Sequence, residues 1–122
     1  VVYFGTGTTV VGQMFYFDGT DWLVTDANTA ASAKAKGLLA IALGTTPATH
    51  GMLLRGMITL DHDAGQIGDI LYIASAVVDA AGDATKLAPS TSGDTVRIIG
   101  YCMDSANGQI WFDPSPQYIL LA

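Results

Sequence analysis

The chain has 122 residues, enough for one domain with a core of its own. Half of the residues are apolar, which excludes a disordered chain. Eleven Asp, no Glu and five Lys plus Arg give a net charge of −6, which argues against a nucleic-acid partner, because phosphate binding needs clustered cations.

Glu, Lys and Arg are the residues that coat exposed helices, so their scarcity argues against helices at the surface. Fourteen Gly, with abundant Val, Ile, Thr and Tyr, predict an all-β chain of short strands and turns. Asp without Glu fits turns, where the short carboxylate bonds nearby amides. No apolar run approaches the roughly 18 residues of a membrane-spanning helix, and no signal peptide is visible. A positive mean hydropathy of +0.39 with low total charge predicts more apolar surface than a monomer tolerates, hence oligomerisation.

In chain order, Gly12 to Phe17 reads as a strand, Asp18-Gly19-Thr20-Asp21 as a hairpin turn and Trp22 to Thr25 as the return strand. Asp26 to Lys36 is Ala-rich without an apolar stripe, so at most one short helix near 28–36 is expected. Leu38 to Leu43 is an apolar run suited to a strand buried on both faces. Gly44 to Gly51 reads as a loop, and Met52 to Leu60 as a strand interrupted by Gly56. Ile70 to Ser75, Thr85 to Ala88 and Thr95 to Met103 are further strands, the last broken at Gly100. Asn107-Gly108 turns the chain back into Gln109 to Asp113, and Tyr118 to Leu121 forms a terminal strand or arm. About eight short antiparallel strands in one domain, 1–122, predict a small β-barrel or sandwich.

The chain also echoes itself. Gly12-Gln-Met-Phe-Tyr-Phe resembles Gly68-Asp-Ile-Leu-Tyr-Ile, residues 38–43 resemble 98–103, and Gly51-Met-Leu-Leu resembles Gly108-Gln-Ile-Trp. The near-constant spacing predicts a duplicated half.

Chemistry is sparse. Asp61-His62-Asp63, with Asp69 six residues on, is the densest polar cluster, but neighbouring side chains on a strand diverge. A solvated loop with no metal and no cofactor is expected there. Cys102 lies in an apolar run and reads as a small buried hydrophobe. No serine sits in a nucleophile elbow, so no enzyme is expected. Tyr16, Trp22, Tyr101 and Trp111 offer a glycan platform as an alternative to cross-strand packing. Arg55 and Arg97 sit inside apolar strands, where a charge faces solvent or is buried with a partner.

Five blocks carry a resemblance. They are Gly37 to Gly44, Met52 to Leu60, Gly68 to Ser75, Ala88 to Tyr101 (Ala-Pro-Ser-Thr-Ser-Gly-Asp-Thr-Val-Arg-Ile-Ile-Gly-Tyr) and Ile110-Trp-Phe-Asp-Pro-Ser-Pro116. Their order resembles virion domains of tailed bacteriophages, found in capsid decoration (cement) proteins and in head or tail fibres. The resemblance spans most of residues 12–122 and includes no catalytic motif. It implies a small β-barrel, often trimeric, that stabilises the shell by binding between major capsid subunits. The chain departs from that pattern in having no obvious flexible N-terminal arm. The expected subunit interface is Arg55, Arg97, Pro114, Pro116, Tyr118, Ile119, Leu120 and Leu121. The alternative is a fibre domain that binds a host-surface glycan. Either reading places the chain in the virion, with no membrane partner.

Overall fold

The computed structural model describes residues 1–28, 35–75, 80–104 and 108–121. Among them are eleven strands: β1 Met14–Phe17, β2 Trp22–Val24, β3 Leu39–Ala42, β4 Met52–Leu53, β5 Gly56–Thr59, β6 Ile70–Ile73, β7 Ala84–Thr85, β8 Thr95–Val96, β9 Ile98–Asp104, β10 Gln109–Phe112 and β11 Ile119–Leu120. They form a four-stranded sheet in the order β2-β1-β3-β4, a five-stranded sheet in the order β5-β10-β9-β6-β7, and the pair β11-β8. All strand pairs are antiparallel. The sheets keep open edges, so the all-β expectation resolves to a sandwich and not to a closed barrel.

The first hairpin forms for a local reason. Asp18 Oδ1 accepts the N–H groups of Thr20 at 2.9 Å and Asp21 at 2.7 Å, and Gly19 takes φ 108° in the turn. This sets Phe17 opposite Trp22. Those two amide bonds to Asp18 also hold its carboxyl below the usual carboxylate range.

Three readings change. The stretch read as Met52 to Leu60 divides into β4 and β5, which belong to different sheets. The stretch Thr95 to Met103 breaks at Arg97 and not at Gly100. Gly100 stays inside β9, where a Cβ would lie 1.8 Å from the Trp111 carbonyl oxygen, so β10 passes too close for any side chain. The expected loop 44–51 contains a one-turn helix, α1 Pro47–His50, with proline in its first turn. The helix expected near 28–36 falls largely outside the described residues.

The main core lies between the two large sheets. Met14, Tyr16, Leu39 and Ile41 of the four-stranded sheet meet Leu71, Ile73, Ile99, Cys102, Ile110 and Phe112 of the five-stranded sheet. A second core lies on the other face of the four-stranded sheet, where Phe15, Trp22, Ala40, Ala42 and Met52 pack with Val2 and Phe17. The N-terminal segment covers it. Val2 bridges Met52, Phe4 meets the rings of Phe17 and Trp22 at 5.1 and 5.5 Å, and Trp22 Nε1 donates to the Phe4 carbonyl at 2.9 Å. The centre of the four-stranded sheet is thus buried on both faces, while Leu23 on the edge strand β2 stays exposed.

The internal echo has a structural counterpart. The order β2-β1-β3-β4 repeats as β7-β6-β9-β10, with β5 added at the edge. Register follows it in part. Met14↔Ile41 and Phe15↔Ala40 correspond to Ile70↔Tyr101 and Leu71↔Gly100. The β9–β10 ladder runs one residue out of step with β3–β4.

Candidate functional site

The five-stranded sheet has one face in the core and one without cover among the described residues. Opposed residues of an antiparallel ladder share a face. Met57 opposes Trp111, Trp111 opposes Tyr101, and Tyr101 opposes Ile70. These four large side chains form a row across β5, β10, β9 and β6 on the outer face. Met57, Ile70 and Tyr101 are 52%, 43% and 51% exposed, and Trp111 is half-buried. Met103 and Ile98 are exposed on the same strand as Tyr101. The opposite parity, Ile110 and Cys102, is fully buried, so the row is the outward half of a real alternation. Side chains of this size at about half exposure present roughly several hundred Å² of apolar surface, the scale that monomers keep for binding.

The C-terminal segment extends this surface. Backbone bonds dock it on its own chain, from Gly93 N–H to Leu121 O at 2.7 Å and from Leu121 N–H to Asp94 O at 2.9 Å. Its side chains still point outward, with Tyr118, Ile119 and Leu120 all exposed. Between it and the sheet lies a cleft of about 280 Å³ lined mainly by Tyr72, Val96, Ile98, Tyr118 and Ile119. Pro116 is exposed, while Pro114 and Leu121 are half-buried.

The two arginines part company. Arg55 is exposed at the rim of the row, 3.4 Å from Asp113 and with its guanidinium 5.6 Å from the Trp111 ring centre. Arg97 is buried and engaged within the chain. Its Nε donates to Ser115 O at 2.7 Å, and its Nη1 donates to Gly37 O at 2.9 Å and Ala35 O at 3.2 Å. Burial pulls its pKa down from the ordinary arginine value, and Tyr118 opposes that shift. Arg97 therefore ties the C-terminal segment to residues 35–37.

The four aromatics do not converge. Trp22 and Tyr16 are buried in different cores, and burial raises the Tyr16 pKa with help from the Asp18 charge. Only Tyr101 and Trp111 lie side by side on the surface.

The polar cluster is not the one the sequence suggests. The chain bends after β5, so Asp61 and His62 converge despite being neighbours. The third member is Asp83, brought in by the approach to β7, and not Asp63. His62 Nδ1 stands 2.7 Å from Asp61 Oδ1 and 3.2 Å from Asp83 Oδ1. Ala84 N–H reaches His62 Nε2 at 3.0 Å, so Nδ1 carries the proton when that bond forms. Cys102 is buried, and burial, aided by the nearby Asp69, Asp104 and Asp63 charges, pushes its thiol up against a weaker pull from a backbone bond.

No family model matches the chain, and neither the curated proteins nor the solved structures include a match.

Proposed function

We propose that this chain is a structural subunit of a bacteriophage virion, most simply a capsid decoration protein that acts as a homotrimer on the shell. The reading is supported by the apolar row Met57–Trp111–Tyr101–Ile70, uncovered among the described residues, which carries it, together with the order of sequence blocks that resembles such domains. A row of this kind works by desolvation alone, since its central members have no charge to pair. The echo between the sheets adds weight. Met14 and Ile41, the counterparts of Ile70 and Tyr101, are fully buried against the second sheet. The same register position is thus a packing face in one sheet and an unpacked one in the other. The exposed Tyr118, Ile119 and Leu120 flank the cleft and widen the contact.

The test is location in an intact particle. A copy number equal to that of a capsid lattice position, with the row at the contact, is the expected result; absence from particles overturns the proposal.

One observation favours a second reading, a fibre domain that binds glycan. Tyr101 and Trp111 are adjacent and exposed enough to stack on a sugar, with Arg55 and Asp113 at the edge as hydrogen-bonding groups. A glycan array with binding lost in Trp111→Ala, together with a few copies per particle, selects this reading instead.

A further inference from the structure

We propose that Asp61, His62 and Asp83 hold a first-row divalent metal ion, with Zn²⁺ the best fit. The inference stands apart from the assembly reading. It starts from the spacing of the three donor atoms. Ligands on one ion lie about 2.0–2.2 Å from it, so ligands on adjacent positions are roughly 3 Å apart. His62 Nδ1 is 2.7 Å from Asp61 Oδ1 and 3.2 Å from Asp83 Oδ1, and the three donor atoms all fall within 4.8 Å of one another. The two His62 separations are close to the edge lengths of one coordination polyhedron, and the third donor pair lies near enough to share the ion. The cluster is more than a pair of sequence neighbours: Asp83 comes from the far side of the β6–β7 hairpin.

The surroundings provide the outer contacts that a metal-bound imidazole uses. When Nδ1 binds an ion, Nε2 must carry the proton, and it needs an acceptor. The Ala84 carbonyl oxygen is 3.2 Å from Nε2. Without an ion, Nδ1–H points at the carboxylates and Nε2 accepts the Ala84 N–H at 3.0 Å. The Ala84 carbonyl thus offers the ion-bound tautomer an acceptor, in exchange for the bond that Nε2 accepts from the Ala84 N–H in the ion-free state. Gln13 Nε2 donates to Asp61 Oδ2 at 3.0 Å, which fixes that carboxylate while its Oδ1 faces the ring.

The donor set selects the ion. One imidazole nitrogen with two carboxylate oxygens suits Zn²⁺, Co²⁺ or Ni²⁺, whereas Ca²⁺ and Mg²⁺ prefer oxygen alone. Asp61 is exposed and the other two are half-buried, which leaves a path for entry and room for water or a fourth donor. The ion would cross-link the bend after β5 to the approach to β7, at opposite edges of the five-stranded sheet, with Gln13 before β1 joined to it through Asp61.

The chain is first dialysed against a chelator and then titrated with Zn²⁺ by calorimetry, with Tm measured in parallel. We expect one saturable site per chain, a Tm that rises with Zn²⁺, and much weaker binding of Ca²⁺. Asp83→Asn should weaken Zn²⁺ binding by more than about tenfold, and Gln13→Ala by about tenfold, the usual range for an outer contact. Because His62→Gln also releases Ala84 and can fail to fold, Asp83→Asn is the deciding variant, with its folded state checked by circular dichroism. No saturable binding, Zn²⁺ binding unchanged in folded Asp83→Asn (which would put the ion elsewhere, for example at His50), or Ca²⁺ bound as tightly as Zn²⁺ each overturns the proposal.

Discussion

Arg97→Met removes the guanidinium but keeps most of the aliphatic stem, so it isolates the three hydrogen bonds to Ser115, Gly37 and Ala35. Hydrogen bonds to a charged group contribute about 1.5–3 kcal/mol each, and the carbonyls left behind in part-buried surroundings lose their partners. Against this, the variant no longer buries a cation, and the depressed Arg97 pKa shows that burial has a cost. The two effects partly offset, which leaves a net loss of about 3 kcal/mol. For a chain of this length that lowers Tm by roughly 10 °C. Urea and thermal unfolding of the purified variants measure it. Arg97→Lys should recover less than half of the loss, because one ammonium cannot span three carbonyls as the planar fork does. A Met variant within about 0.5 kcal/mol of the parent would refute the claim that this side chain ties the C-terminal segment to residues 35–37.

Further outcomes follow from single sites. Gly100→Ala should cost about 3 kcal/mol or more, because its Cβ meets a backbone carbonyl at 1.8 Å, whereas Gly19→Ala, with open space around it, should cost about 1 kcal/mol; urea midpoints of the two variants compare them. Asp18 has a lowered folded pKa, so its share of stability is present above the ordinary Asp range and lost as the pH falls through the folded value. Hydrogen exchange at the Thr20 and Asp21 amides should quicken in that acid window in the parent but not in Asp18→Asn. Cys102, buried and with a raised thiol pKa, should resist thiol reagents at neutral pH until the chain is unfolded, as a disulfide-exchange assay in and out of urea would show.

Much of the fold was legible because strands declare themselves locally. Asp18-Gly19 marked the first hairpin, and Ile70 to Ile73 and Gln109 to Phe112 emerged where the pattern placed them. The breaks were not. Arg97 ends β8 because its side chain turns inward to three carbonyls, a long-range cause with no local signature. The α1 turn has no periodic pattern, since four residues make only one turn.

The surface was harder to read. Residues 38–43 and 98–103 look alike as apolar runs, and the first reads as a strand buried on two faces. That holds for β3, all of whose residues are buried, because the N-terminal segment covers the outer side. The likeness does not extend to β9, where Ile98, Tyr101 and Met103 are exposed, because among the described residues no such cover lies on the matching side of the other sheet. An apolar run reports potential for burial, not what lies against it. Tyr101 and Trp111 were singled out, but Met57 and Ile70 became their neighbours only through strand register. Asp83 joined Asp61 and His62 by tertiary folding alone.

Native mass spectrometry of the isolated chain tests the claimed interface most directly, with the parent measured beside a Tyr101→Asp, Ile70→Asp double variant. Both changes fall on exposed positions but set two carboxylates opposite each other on the β6–β9 ladder, so the folded state of the variant is checked by circular dichroism. The parent should form a discrete oligomer, a trimer, and the variant a folded monomer. A parent that stays monomeric at tens of micromolar, or a variant that assembles as the parent does, contradicts the claimed interface.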